Sequence, residues 1–180
     1  LQAYALDTTT VLPLLEAAVA CYNLSDYARS DSLTRIVARR ADGLNAHDGL
    51  LLRILQSWLE GDWTRAFLLA REQGRLCPGT ISQFEWGHSA LRSIRPRETV
   101  TALETLDPEG VSMKGWFYYW RDLTNARHML DEHVIELEES RRGRRQYPDR
   151  IEMFECEIRA LAALRDTAGV LNALEEAATL

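Results

Sequence analysis

Long apolar runs are missing from this sequence, and none approaches the ~20 residues that a membrane-spanning helix needs. Strand signals are missing too: no segment alternates apolar and polar residues convincingly. Only three cysteines occur, Cys21, Cys77 and Cys156, widely spaced and without a Cys-x-x-Cys pair. That removes the spacing signature of a zinc finger or a disulfide framework. The thiols read as small buried helix residues in a reducing compartment, so a cytoplasmic location is expected. No Gly-x-Ser-x-Gly elbow, P-loop, Gly-x-Gly-x-x-Gly or His-Glu-x-x-His occurs. The expectation is a non-enzyme with no cofactor and no metal. The net charge of −6 lacks the basic balance of a general nucleic-acid binder.

What is present is helical. The 180 residues are 46% hydrophobic and 27% charged, with Ala, Leu, Glu and Arg abundant and only five prolines. Apolar residues recur at three and four, as in Leu51, Leu52, Leu55, Trp58 and Leu59. The pattern predicts helices over 9–24, 30–41, 47–60, 63–76, 81–93, 96–106, 116–130, 132–146, 150–164 and 167–179. Thr80 with Gln83, and Asp149 with Glu152, have capping-box spacing, and Asn45 with Asp48 is a similar start signal. The opening "LQAYALDTTT" has neither an initiator Met nor a basic leader region. With "LEEAATL" stopping in mid-helix, it suggests a piece of a longer chain.

The helices pair, and the pairs repeat. "WLEGDWTRAFLLAREQGRLCPG" turns at Gly61-Asp62 and stops at Pro78. "MLDEHVIELEESRRGRRQYPD" turns near Asp131 and stops at Pro148. "ALRDTAGVLNALEEAATL" turns at Arg165-Asp166. Asp131 and Arg165 are 34 residues apart, and Gly61 and Asp131 are 70 apart, close to two periods. The unit at 81–116 is irregular, its second helix ending at "TLDPEG", and the first pair carries a long "SDYARSDSL" connection.

On these residues the sequence resembles a tetratricopeptide repeat (TPR) protein. Leu50, Gly61, Asp62, Trp63, Ala66 and Pro78 match the family pattern in one unit, Trp120, Leu123, Leu137 and Pro148 in another, and Phe154, Leu161 and Ala177 in the last. Phe84 and Gly87 fit in the irregular unit. The resemblance covers roughly residues 45–180 and implies an all-α solenoid of about five antiparallel helix pairs. The units run over about 9–44, 45–80, 81–116, 117–150 and 151–180 of a single domain. The stretches "LRSIRPRETVTALETLDPEG", "FYYWRDLTNARHML" and "ELEESRRGRRQYP" also resemble helical-repeat regions of large bacterial kinases and transcriptional regulators.

The resemblance implies a concave groove that binds a protein or peptide. Its groove positions fall on Glu85, Trp86, Ser89 and Arg92, then Tyr118, Arg121, Asp122, Asn125 and His128, then Glu155 and Arg159. Arg121 and Asn125 resemble half of a site that holds a peptide's terminal carboxylate, and Cys156 replaces the Asn of the following unit. Two other readings are open. One is a small-molecule sensor with a pocket around Trp86, Tyr118 and Arg121. The other is self-association with a second copy through "VLNALEEAATL", since solenoid ends need polar caps. Neither a nucleic acid nor a membrane is an expected partner.

Three clusters stand out locally. Trp116, Phe117, Tyr118, Tyr119 and Trp120 would surround a helix axis, which predicts a buried helix, and the resemblance implies that Tyr118 alone of the five lines the groove. The arginines of "RRGRRQYPDR" read as a solvated last turn paired at i,i+4 with "ELEES". His128 and His133, five residues apart across a turn, are a poor spacing for a metal.

Overall fold

The computed structural model describes residues 10–180, and every regular element among them is helical. Among the described residues ten α-helices form five antiparallel pairs, the all-α helix-pair architecture that the repeat predicts. None is long and apolar enough to cross a membrane. The chain divides into two compact units, the first ending at Pro78 and the second beginning at Gly79.

In the first unit α1 (Leu12–Asn23) pairs with α2 (Tyr27–Ala38), and α3 (Ala46–Glu60) pairs with α4 (Trp63–Leu76). Residue 9 and the "LQAYALDTT" segment before α1 lie outside the described residues. The "SDYARSDSL" stretch is not a long connection. Asp26 accepts the backbone N–H of Arg29 and starts α2 at Tyr27, leaving three residues between the helices. Asn45 accepts from Asp48 N at 2.9 Å, as its spacing predicts. Leu15, Ala18, Val37, Ile54, Leu55, Phe67 and Ala70 are almost completely buried and form the interior of this unit.

The second unit contains α5 (Ile81–Arg92), α6 (Pro96–Leu103), α7 (Tyr118–Met129), α8 (His133–Gln146), α9 (Ile151–Ala163) and α10 (Thr167–Ala177). The first helices α5, α7 and α9 lie side by side, while α6 and α8 each pack on their own partner and on the first helix that follows. Helix α6 is only two turns long, and a 3-10 turn at Val111–Met113 fills the rest of the irregular unit. Gly87 permits the close approach of α5 and α6, because a Cβ there would stand 2.6 Å from Leu103 Cδ2.

One backbone device recurs in all five pairs. The first helix ends on a left-handed residue: Ser25 (φ 61°), Gly61 (75°), Ile94 (57°), Asp131 (58°) and Arg165 (61°). The next N–H then reaches back five residues, from Asp26 to Cys21 O, Asp62 to Ser57 O, Arg95 to Ala90 O, Glu132 to Arg127 O and Asp166 to Leu161 O, at 2.9–3.0 Å. This is the helix-ending motif that satisfies orphan carbonyls and reverses the chain. A β-branched side chain is strained in that conformation, at about 1–2 kcal/mol. Ile94 is 77% exposed and gains little from packing. Ile94→Gly is therefore expected to stabilise by ~1 kcal/mol, read as a higher midpoint in urea. A lower midpoint would refute the strain at this turn.

Two capping expectations change in detail. Thr80 Oγ1 accepts from Ser82 N, and Gln83 Oε1 accepts from Gly79 N at 2.7 Å, so the box is shifted by one residue at each bond. Asp149 is not the cap of α9. Arg150 occupies that position without a side-chain bond, because Pro148 and Asp149 belong to the preceding turn.

The five aromatics are also placed differently. Only Tyr118, Tyr119 and Trp120 are helical, because the 3-10 turn and Gly115 (φ 79°) delay the start of α7. Trp116 packs edge-on to Phe84 at 5.9 Å, and Phe117 lies 4.1 Å from the Tyr118 ring. Phe117, Tyr119 and Trp120 are buried, whereas Tyr118 is half-buried. Of the cysteines only Cys156 is buried. Cys21 is half-buried in α1, and Cys77 is half-buried at the end of α4.

Candidate functional site

The side-by-side helices α5, α7 and α9 of the second unit bring most of the sequence-predicted residues onto neighbouring turns. Arg121 and Tyr118 are one turn apart on α7, and the guanidinium lies 4.4 Å from the centre of the Tyr118 ring. Arg121 also grips Asp122, with Nε at 3.0 Å and Nη2 at 2.9 Å from Oδ1. The other Asp122 oxygen is 2.7 Å from His88 Nδ1 on α5. Asp122 is 1% exposed. It is thus a buried anchor between two helices, with both basic partners reaching towards solvent.

Glu85 lies one turn from His88. Burial pushes its carboxyl up to about 7, with His88 opposing and Asp122 adding to the rise. Burial works against the charged form of His88, but the bond to Asp122, the Asp122 charge and Glu85 outweigh it and raise the imidazole above its ordinary value. Trp86 is half-buried, and Ser89 is fully buried. Trp86 Nε1 and Ser89 Oγ find no hydrogen-bond partner among the described residues. Ser89 therefore faces the helix packing instead of an open groove, and Arg92 is exposed at the end of α5.

The two titrations predict a pH dependence with one sign. Between about 4.5 and about 7 the folded chain keeps the Glu85 proton that the unfolded chain has lost, so stability falls as pH rises through that window. The His88–Asp122 pair contributes stability that is complete below 6.5 and is lost as pH rises through the folded value. Both groups act in the same direction. Glu85→Gln removes one of them, so its thermal midpoint should fall less steeply than wild type from about pH 5 to about pH 8. Parallel profiles for the two proteins would show that the carboxyl is not held protonated.

A second cluster joins α7, α8 and α9. Asn125 accepts from Arg159 Nη1, and Arg159 Nε stands 2.7 Å from Glu136 Oε1. Glu136 is completely buried. Its Oε2 lies 2.9 Å from His128 Nδ1 and 3.1 Å from His133 Nδ1. The spacing of the histidines suggested no convergence. The left-handed turn at Asp131 nevertheless brings their ring centres to 5.0 Å. Glu155 is exposed on α9, while Cys156 is buried and its thiol is pushed up by burial, against a hydrogen bond to Thr124. Both members of the predicted half-site therefore have partners within the chain: Arg121 takes Asp122, and Asn125 takes Arg159, which also reaches Glu136.

Sequence reasoning missed two further ion clusters. Arg127 reaches Glu104, Glu132 and Glu139, and Glu157 accepts from Arg141 at 3.0 Å and Arg144 at 2.6 Å. The arginines of "RRGRRQYPDR" do not pair at i,i+4 with "ELEES". Arg141 and Arg144 turn to α9, Arg144 also reaches Glu176 of α10, and Arg142 lies 5.0 Å over the Trp120 ring. Alternating charge along α8 was the available signal, but it does not say which neighbouring helix supplies the partner.

No protein-family model and no curated protein matches the sequence. Among solved structures the chain is similar to MamA from AMB-1, a TPR-like helical-repeat protein determined in a P212121 crystal form. The TM-score is 0.67 with 14% identity, over 97% of this chain and 93% of that chain. At that identity the likeness is one of fold, and the fold of this chain is TPR-like.

Proposed function

We propose that this chain is a non-catalytic scaffold that binds a protein or peptide along the α5, α7 and α9 face. The observation that carries the reading is the Tyr118–Arg121–Asp122–His88 assembly. An aromatic ring and a guanidinium are held at that surface by a buried carboxylate, so little side-chain freedom is left to lose on binding. Stacked helix pairs provide extended faces without dedicated chemistry. Tyr and Arg carry much of the energy at protein interfaces. A cytoplasmic setting, and a place in a larger bacterial kinase or transcriptional regulator, belong to the same reading. They are supported by the unbridged thiols and by the resemblance of the second-unit stretches.

A peptide selected from a displayed library against the wild-type chain provides the probe. Tyr118→Ala and Arg121→Ala are each expected to weaken its binding by ~2 kcal/mol, about 30-fold, while the chain stays folded by circular dichroism. Unchanged affinity in both folded variants would remove this face from consideration.

Self-association is a second reading, favoured by one observation. Ile151, Phe154, Ile158, Ala162, Leu174 and Ala177 line an open apolar groove between α9 and α10, and Ile151 and Leu174 are about half exposed. Sedimentation of the wild-type chain against Leu174→Glu distinguishes it: a dimer that the charge dissociates supports it, and a monomer at all concentrations opposes it.

A further inference from the structure

We propose that His128, His133 and Glu136 form a binding site for a divalent transition-metal ion of the zinc type. The local chain geometry builds the site. His128 lies in the last turn of α7, His133 opens α8, and Glu136 follows at i+3 on the same face as His133. The turn at Asp131 folds the first imidazole back onto the second. Both Nδ1 atoms then converge on one oxygen, Glu136 Oε2, and the three candidate ligand atoms all lie within 4.8 Å of one another. Tetrahedral zinc with bonds of about 2.0–2.1 Å spaces its ligand atoms by roughly 3.3 Å. Two of the three spacings, 2.9 and 3.1 Å, are already close to that value, and the third is within 4.8 Å.

The surroundings support coordination as well as an ordinary ion cluster. Glu136 is fully buried, and its second oxygen is fixed by Arg159 Nε at 2.7 Å, which aims Oε2 at the histidines. Asp131 Oδ1 stands 3.7 Å from His133 Nε2, on the far side of the ring from the converging nitrogens. At that distance, and with its side chain 94% exposed, Asp131 supplies nearby negative charge and no hydrogen bond to the ring. The His128 and His133 side chains are 38% and 22% exposed, so an ion has an entry path and a fourth position open to water or to a partner's side chain. The Arg159 charge opposes a cation, and Asp131 partly offsets it. Two imidazoles and one carboxylate oxygen suit zinc, cobalt, nickel or copper, and they do not suit calcium or magnesium, which need many oxygen ligands. An ion here would pin the α7–α8 turn directly beside Asn125 and Arg159 of the binding face.

Isothermal titration of the EDTA-treated, dialysed chain with ZnCl2, and visible absorption on adding CoCl2, test the site. The expected result is one ion per chain, with cobalt bands of a low-coordinate site and a rise in thermal midpoint on adding zinc. His128→Ala and His133→Ala should each weaken zinc binding by more than the ~10- to 100-fold lost when only an outer-shell partner is removed. His47→Ala, in the first unit, should leave binding unchanged. Glu136→Gln tests the carboxylate. Should that variant unfold, the two partly exposed histidines still decide the matter, with circular dichroism confirming their fold. No binding to the wild-type chain at about 100 μM zinc would overturn the proposal, since that is far above the affinity of a built site. Binding that survives both histidine variants would overturn it equally, as adventitious binding elsewhere on the chain.

Discussion

Trp120→Ala is expected to destabilise the protein by about 3–5 kcal/mol, the usual cost of deleting a buried large aromatic. The ring is 3% exposed and lies within the second unit's core beside Leu123, Met153 and Tyr119, the last edge-on at 5.0 Å. Its contact with α8 is unusually close. A Cβ on Gly143 would stand 2.8 Å from Trp120 Cγ and 2.9 Å from Met153 Sδ, so only glycine lets the ring lie flat against that helix. The indole N–H donates to Gln146 Oε1 at 2.7 Å, and Gln146 Nε2 donates to Pro108 O at 3.1 Å. Removing the ring therefore opens a cavity and also loosens the tie to the irregular connection after α6. Urea denaturation measures the loss, and a change below ~1 kcal/mol, typical of surface sites, would contradict the packing. Gly143→Ala gives a linked result. In the wild-type background it should cost about 1–3 kcal/mol through overpacking. In the Trp120→Ala background the contact with Cγ is gone, while those with Met153 Sδ and the residue-120 Cβ, both at 2.9 Å, remain, so the cost should shrink without vanishing.

Arg127→Met should cost a similar amount, about 3–5 kcal/mol near pH 8, for a different reason. The Arg127 side chain is 9% exposed and faces three carboxylates: Glu104 just after α6, Glu132 before α8, and Glu139 within α8. Glu104 and Glu132 are 50% and 35% exposed and can return to water when the cation is removed. Glu139, at 11%, cannot. Burial raises its carboxyl above the ordinary value even with Arg127 opposing, and its Oε2 has no hydrogen-bond partner among the described residues. Without Arg127 the buried charge is unbalanced, and the carboxyl rises further. The loss should thus be largest at high pH and shrink as pH falls and Glu139 takes up a proton. Adding Glu139→Leu should recover most of the stability, because an apolar pair of similar volume can replace a buried ion pair. An Arg127→Met variant within ~1 kcal/mol of wild type at pH 8 would show that water already satisfies Glu139.

Much of this architecture was legible in the residues alone, because it depends on short-range order. Apolar spacing of three and four places each helix. Setting Gly61, Asp131 and Arg165 equivalent picks out three of the five left-handed turns, since an N-cap acid follows each. Ile94 escaped because a β-branched residue is the least suited to that conformation, and Ser25 because "SDYARSDSL" has the polarity of a loop. The charged clusters were not legible at all. Arg127 meets Glu104, His88 meets Asp122, and Arg144 meets Glu157 and Glu176, over sequence separations of 13 to 34 residues. Local periodicity gives each of these groups a helix face and an i,i+4 neighbour. Which cation finally meets which carboxylate depends on how adjacent helices cross and on how deeply each pair is withdrawn from water. Coulomb energy varies too steeply with those two quantities for sequence spacing to decide it. The helices and their repeat thus came from the sequence, and the partners of Asp122, Glu136 and Arg127 came only from the packing of one helix on the next.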